Sequence, residues 1–237
     1  MEKIVCKFGG TSVADAAQIR KMAVIVRQDP RRRYVVVSAP GKRQKHDQKI
    51  TDLLYLCHEL AGQELDIGEP FHRIRERFVQ IGQELGVRLD VAAALDEVEA
   101  QIRAKASRDF VASRGEYLCA RVVADFMGAS FVDMQSCIKM DGEGRVLEDT
   151  YPGLSAALSG EGMFVVPGFY GSTPDGAVKT FSRGGSDITG AIVARAVGAK
   201  VYENWTDVSG FLMIDPRILK NPKPMRTVTY REIRELA

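Results

Sequence analysis

Cysteine is sparse and unpaired in this chain. Its four cysteines, Cys6, Cys57, Cys119 and Cys137, stand far apart and form no CxxC pair. That spacing argues against a disulfide framework or a zinc site and is expected of reduced, mostly buried thiols in a cytosolic protein. No apolar run approaches the roughly 20 residues needed to span a bilayer. A charged Lys3 and an early pair of glycines interrupt any signal-peptide pattern. Charge of one sign is also missing: the net charge of +2 gives no reason to invoke nucleic acid or an acidic membrane surface. The basic runs Arg31-Arg32-Arg33 and Lys42-Arg43 read as solvated turns. There is no internal repeat and no low-complexity segment. The two common phosphate loops are absent as well. Gly41-Lys42 lacks the upstream glycine and following hydroxyl of GxxxxGK[ST], and no GxGxxG occurs.

What is present is an ordinary globular composition, with 45% apolar and 27% charged residues in 237. The length fits one large α/β domain, or one and a half small ones. The chain is organised around Lys7-Phe8-Gly9-Gly10-Thr11-Ser12-Val13. An apolar strand, Ile4 to Phe8, runs into two glycines, and a helical pattern follows at Val13, Ala16, Ile19, Ala23 and Val26. Ser12, with Asp15 three residues on, is the expected N-cap. A strand, glycine turn and helix start aim free N–H groups and a positive dipole end at one point, where anions bind. Glycines admit a phosphate to the backbone, and Lys7 stands at the mouth of the turn. The alternative is a tight βα turn beside a surface lysine.

Tyr34 to Val37 reads as the next strand, and a polar loop from Ser38 to Ile50 leads to Thr51-Asp52, expected to cap a helix carrying Leu53, Leu54 and Cys57. Ser38 and Thr51 are loop-end hydroxyls, by default a strand-end hydrogen bond and a cap. From Glu69 to Met127 the pattern is helical, broken by Gly86 and Ser107-Arg108 into about three helices. Glu116 lies within the last, where an acid is ordinarily solvated or paired. Phe131 to Met134 reads as a strand, Cys137 to Leu147 as a hairpin, Leu154 to Leu158 as a short helix and Met163 to Val166 as a buried strand. A second hairpin turns at Pro174-Asp175-Gly176. Then Phe181-Ser182-Arg183-Gly184-Gly185-Ser186-Asp187 repeats the opening architecture before a helix from Ile188 to Val197. It adds an arginine, suited to holding a carboxylate with two parallel bonds. Lys200 to Trp205 is a further strand, and Thr206, Asp207 and Arg217 follow it. Ligands of open α/β sheets lie beyond the carboxyl ends of strands. A last helix begins near Thr229 and stops at Ala237 without a cap, as if cut.

KFGGTSV, VVVSAPGKR, KITDLL, SRGEYLCA, KTFSRGGSDITGA, NWTDVSGFLMIDPRI and TYREIRELA stand in an order that resembles the catalytic domain of aspartate kinases, a branch of the amino-acid kinase family. The resemblance covers essentially the whole chain, residues 1–237. It implies a three-layer α/β/α sandwich with a mainly parallel, roughly eight-stranded open sheet, like that of carbamate kinase. It implies transfer of the ATP γ-phosphoryl group, with magnesium held through the phosphates, to the side-chain carboxylate of L-aspartate. The product, 4-phospho-L-aspartate, heads lysine, threonine and methionine synthesis. Carried over by position, Lys7, Gly9 and Gly10 would face the transferring phosphoryl group. Ser38, Thr51, Glu116, Arg183, Ser186 and Asp187 would hold aspartate. Lys7, Gly10, Thr206, Asp207 and Arg217 would serve the nucleotide.

Leu212 stands where relatives often carry tyrosine near the nucleotide base. Aspartate kinases also continue beyond the point reached by this chain, with the end of the kinase fold and paired ACT regulatory domains. The expectation is therefore a cytoplasmic catalytic domain, from a protein that is a homo-oligomer at full length. Alone it should turn over poorly and ignore lysine and threonine. The alternatives are a domain that binds ATP and aspartate without efficient turnover, or a branch phosphorylating glutamate, N-acetylglutamate or a nucleoside monophosphate.

Overall fold

The structure is a computed structural model that describes residues 2–182, 184–206 and 210. The chain divides into two compact units, Met1–Trp205 and Thr206–Ala237. The first unit carries every strand and helix of the described residues. Arg183, Asp207, Leu212, Arg217 and the helix expected from Thr229 lie outside the described residues.

Five strands form the main sheet: β1 (Ile4–Phe8), β2 (Arg32–Val37), β3 (Ser130–Phe131), β4 (Phe164–Pro167) and β7 (Val201–Trp205). Their order is β3-β4-β2-β1-β7, and every pairing is parallel. β5 (Tyr170–Ser172) and β6 (Val178–Thr180) make a separate antiparallel hairpin, turning where Pro174-Asp175-Gly176 predicts. Among the described residues the parallel sheet thus has five strands, against the roughly eight expected of one open sheet, and the hairpin stands apart from it.

Successive strand residues point to opposite faces, and both faces of this sheet are apolar, as a parallel sheet covered on two sides requires. Ile4, Cys6, Phe8, Val35, Val37 and Val165 enter one core. It is closed by α1 (Ala16–Arg27), α2 (Ile50–Gly62), α3 (Gly68–Leu85), α4 (Val91–Arg103) and α5 (Arg108–Met127). Val5, Tyr34, Val36, Phe164 and Val166 enter the other, closed by α6 (Met134–Cys137), α7 (Thr150–Ala157) and α8 (Gly185–Val197). This is the expected three-layer sandwich. All four cysteines are buried and free.

Several boundaries differ from the sequence reading. The glycine turn continues as a 3-10 turn, Gly10–Val13, so Ser12 does not cap α1; Asp15 does, accepting from the Gln18 amide at 2.8 Å. α2 starts at Ile50 with no side-chain cap, which puts Thr51 inside its first turn. Of the strand expected from Phe131 to Met134 only Phe131 pairs, together with Ser130 before it, because Asp133 accepts from the Gln135 amide and turns the chain into α6. The hairpin read from Cys137 to Leu147 reduces to one bridge between Met140 and Val146. Arg32 is not solvated: it pairs with Glu203 at 2.9 Å and lies over the Trp205 ring.

Gly115 decides how closely α5 approaches the sheet edge. A Cβ there would sit 2.7 Å from the Ala39 Cβ and 3.3 Å from Ile50 Cγ2, whereas a Cβ at Gly62 would meet nothing within 4 Å. Gly115→Ala should therefore lower the unfolding free energy by about 1–3 kcal/mol through overpacking. Gly62→Ala should leave it unchanged or raise it by up to about 1 kcal/mol. Urea midpoints read this directly, and equal midpoints for the two variants would refute it.

Candidate active site

Register determines what meets at the sheet edge. Phe8 pairs with both Val37 and Trp205, and Val37 pairs with Pro167. The strands run parallel, so Gly9-Gly10, Ser38-Ala39 and Gly168-Phe169 all emerge from the carboxyl edge. The Gly9 amide donates to the Trp205 carbonyl at 3.1 Å, the Ser38 amide to Phe8 at 3.1 Å and the Gly168 amide to Val37 at 2.9 Å.

Lys7 is the last residue of β1 on the Val5 face, and it is not a surface lysine: it is 7% exposed. Its ammonium lies 2.7 Å from Asp187 Oδ1. The same oxygen accepts from Asn204 Nδ2 at 3.0 Å, and the Asp187 carbonyl accepts from the Tyr202 hydroxyl at 3.2 Å. The sequence reading did not single out Asn204 or Tyr202. Asn204 was findable only through its register opposite Lys7. A Cβ at Gly9 would be 3.7 Å from Lys7 Nζ, so the ammonium lies against the glycine turn. α8 begins at Gly185, earlier than its apolar pattern, so Gly185, Ser186 and Asp187 form its first turn. Its N-cap, Gly184, makes no side-chain cap, which leaves backbone donors facing the strand termini.

Close backbone approaches lock these loops together. A Cβ at Gly10 would be 3.0 Å from the Ala39 carbonyl, and one at Gly41 would be 2.8 Å from the Gly10 carbonyl carbon. A Cβ at Gly168 would fall 2.5 Å from Ser186 Oγ, which places Ser186 directly on the turn after β4. Thr189 reinforces that packing, accepting from the Phe169 amide at 3.1 Å.

Glu116 contradicts the default expectation for a helical acid. It is 6% exposed, and its Oε2 has no hydrogen-bond partner. Burial pushes its pKa up to about 8, although the Ala39 amide donates to the carboxylate and the Arg114 charge favours ionisation. Gly115, against Ala39, is what brings it there. A contiguous row results, from Asp187 through Lys7, Gly9, Gly10 and Ala39 to Glu116. Ser38 is half-buried at its edge, and Thr51 lies on the helix whose Ile50 and Leu54 flank Gly115. Thr206 follows β7 and is exposed. A cavity of about 590 Å³ lies elsewhere, lined by residues of the 43–48 loop and of α3, among them Arg43, Asp47 and Arg77. Both of those arginines are paired with Asp47, so the row, with one unpartnered carboxylate oxygen and an uncapped helix end, is the better candidate site.

The likeness to known proteins is specific. The amino acid kinase family profile matches residues 2–237, and the chain belongs to that family. It is 36% identical to aspartokinase 3 of Bacillus subtilis over 248 residues, covering 98% of this chain and 55% of that protein. The crystal structure of Clostridium acetobutylicum aspartate kinase superposes with a TM-score of 0.95 at 45% identity, covering 100% of this chain and 55% of the other. Escherichia coli aspartokinase III, solved in complex with aspartate and ADP, gives 0.81 at 28% identity, covering 94% and 53%. The chain spans about half the length of the curated relatives it matches.

The Glu116 carboxyl sets a pH dependence. Its folded pKa, about 8, lies above its usual 4.5. Between those values the folded chain binds more protons than the unfolded one, so stability falls as pH rises through that window. Glu116→Gln removes the titration. The variant should match the parent near pH 4.5 and exceed it by roughly 2–5 kcal/mol above pH 8. Denaturant titrations at pH 5 and pH 9 measure this, and a constant difference at both would show that Glu116 does not titrate in the window.

Proposed function

We propose that this chain is the catalytic domain of an aspartate kinase, transferring the γ-phosphoryl group of ATP to the side-chain carboxylate of L-aspartate. The observation that carries the reading is the row from the Lys7–Asp187 pair to Glu116, whose Oε2 has no hydrogen-bond partner. The likeness to aspartokinases, one of them solved with aspartate and ADP, supports the choice of substrate.

The attacking carboxylate has an ordinary pKa near 3.9 and is ionised at neutral pH, so no general base is required. One of its oxygens bonds to the γ-phosphorus as the bond to the bridging oxygen of ADP breaks, and ADP leaves with that electron pair. The obstacle is bringing an anion onto an anionic triphosphate, so the protein's part is positioning and charge neutralisation. Lys7 and the Gly10 amide face the transferring group, while Gly9, whose own amide is held by the Trp205 carbonyl, keeps a side chain out of the approach. Magnesium carried on the phosphates adds charge neutralisation. A Cβ at Gly9 would touch Lys7 Nζ and the Trp205 carbonyl oxygen at 3.7 Å each, so the glycine keeps the ammonium close to the turn.

Glu116, ionised on binding, pairs the substrate ammonium. Ser38, Thr51, Ser186 and Asp187 complete the amino-acid side, and Arg183 holds the α-carboxylate with two parallel bonds. Thr206, Asp207 and Arg217 serve the nucleotide. The assignments of Arg183, Asp207 and Arg217 rest on their positions in the sequence.

The test is ADP production with ATP, magnesium and L-aspartate, trapping the acyl phosphate as a hydroxamate, beside parallel reactions with glutamate and N-acetylglutamate. Product from aspartate alone supports the reading, and product from another acceptor replaces it. Binding of both substrates without product points to a domain that needs the remainder of a longer protein to turn over. Lys7→Ala should lower kcat with both substrates still bound, whereas Arg183→Ala should mainly raise the KM for aspartate. Losing one such desolvated charge pair costs about 2–5 kcal/mol, or roughly 30- to 4,000-fold. Near-normal turnover in Lys7→Ala would remove the phosphoryl-clamp role.

A further inference from the structure

Arg77 is a buried arginine in the middle of α3, 5% exposed, away from the row of site residues. Nothing in the apolar periodicity of α3 requires a guanidinium there. Its contacts converge on the loops that build the site. Nη1 donates to the Gly41 carbonyl at 3.0 Å and to the Ala14 carbonyl at 3.5 Å. Nη2 pairs with Asp47 Oδ2 at 2.5 Å.

Each contact leads to the glycine turn or to the loop after β2. The Gly41 amide donates to the Gly10 carbonyl at 2.9 Å, and the two glycines touch backbone to backbone. Ala14 joins the 3-10 turn to the Asp15 cap of α1. Asp47 is the anchor of the 42–49 loop, since Arg43 binds it through its side chain at 2.9 Å and its amide at 3.0 Å. One planar cation thus touches the far end of the turn at Ala14, reaches its Gly10 end through Gly41, and holds the loop between Ser38 and Thr51 at Asp47. Guanidinium suits this because it presents several donors in a fixed fork.

We propose that Arg77 is a positioning residue for phosphoryl transfer, holding the Gly9-Gly10 turn and the Gly41–Asp47 loop in the arrangement that aligns Lys7 and the turn amides. The proposal rests on the kinase reading of the same site. A role in stability alone would lower the folded fraction and leave the folded protein's kinetics unchanged. A positioning role changes turnover in protein that is fully folded, because a misplacement of about 1 Å can cost on the order of 100-fold in rate.

The experiment compares the parent chain with Arg77→Met and Arg77→Lys, each held well below its unfolding midpoint. Hydroxamate kinetics and amide hydrogen exchange are measured on all three. Arg77→Met should lose roughly 10- to 100-fold in kcat with the KM for ATP within about twofold, and Arg77→Lys should recover part of it. Exchange should rise in the peptides spanning residues 9–15 and 38–50 while β4 and α8 stay protected. Unchanged kcat in folded Arg77→Met overturns the proposal, as does a rise in exchange spread over the whole chain. If Arg77→Met does not fold, Arg77→Lys decides, because it keeps the charge and loses the fork. If the parent chain itself yields no hydroxamate, that failure belongs to the turnover reading. Exchange confined to the two loop peptides then supports the clamp, and unchanged or global exchange refutes it.

Discussion

The ion pair between Lys7 and Asp187 joins the two halves of the site. Lys7 belongs to a buried strand flanked by Cys6 and Phe8, so its charge is sheltered from water on most sides. A lone ammonium there would carry a large desolvation cost. Asp187 meets it while remaining 47% exposed, so the pair sits at the solvent boundary rather than deep in the core. Because Asp187 lies in the first turn of α8 and Lys7 at the end of β1, the contact ties one glycine junction to the other. The positive end of a helix and a lysine then address the same space, which is the field an anionic substrate requires.

Close approaches at glycines set the remaining geometry. Gly10 against Gly41, Gly168 against Ser186 and Gly115 against Ala39 each leave no room for a methyl group without displacement. Such contacts hold loops at one separation and allow little sliding. Arg77 adds a hydrogen-bonded brace behind two of the loops. Within this rigid frame Glu116 keeps an unpartnered oxygen. Unsatisfied buried groups are costly to folding, and one beside a candidate substrate site is the kind of local compromise found where binding takes precedence over stability.

Much of the architecture was legible along the chain. Gly86 and Ser107 did separate the long helical region, and Gly86 and Gly128 close α3 and α5 in the left-handed conformation. The two strand–glycine–helix junctions were readable because glycines, a strand and an amphipathic pattern coincide within a dozen residues. The misreadings are local competitions between neighbouring groups. Asp15 displaced Ser12 as the cap because the turn continues for one 3-10 turn. Asp133 captured the Gln135 amide and converted an expected strand into a short helix.

By itself the sequence determined the class of fold, the order of its elements and the residue types able to bind anions. Those properties follow from periodicity, glycine placement and charge, which are local. Tertiary structure decided which of those residues meet. It buried Glu116 without a partner for one oxygen, set Lys7 and Asn204 on the same oxygen of Asp187, and drew Arg77 from a distant helix onto the loops. The physical reason is that burial and close backbone approach depend on strand register and on the packing of elements far apart in the chain. A carboxylate in a helix pattern looks the same whether water or a methyl group lies beyond it.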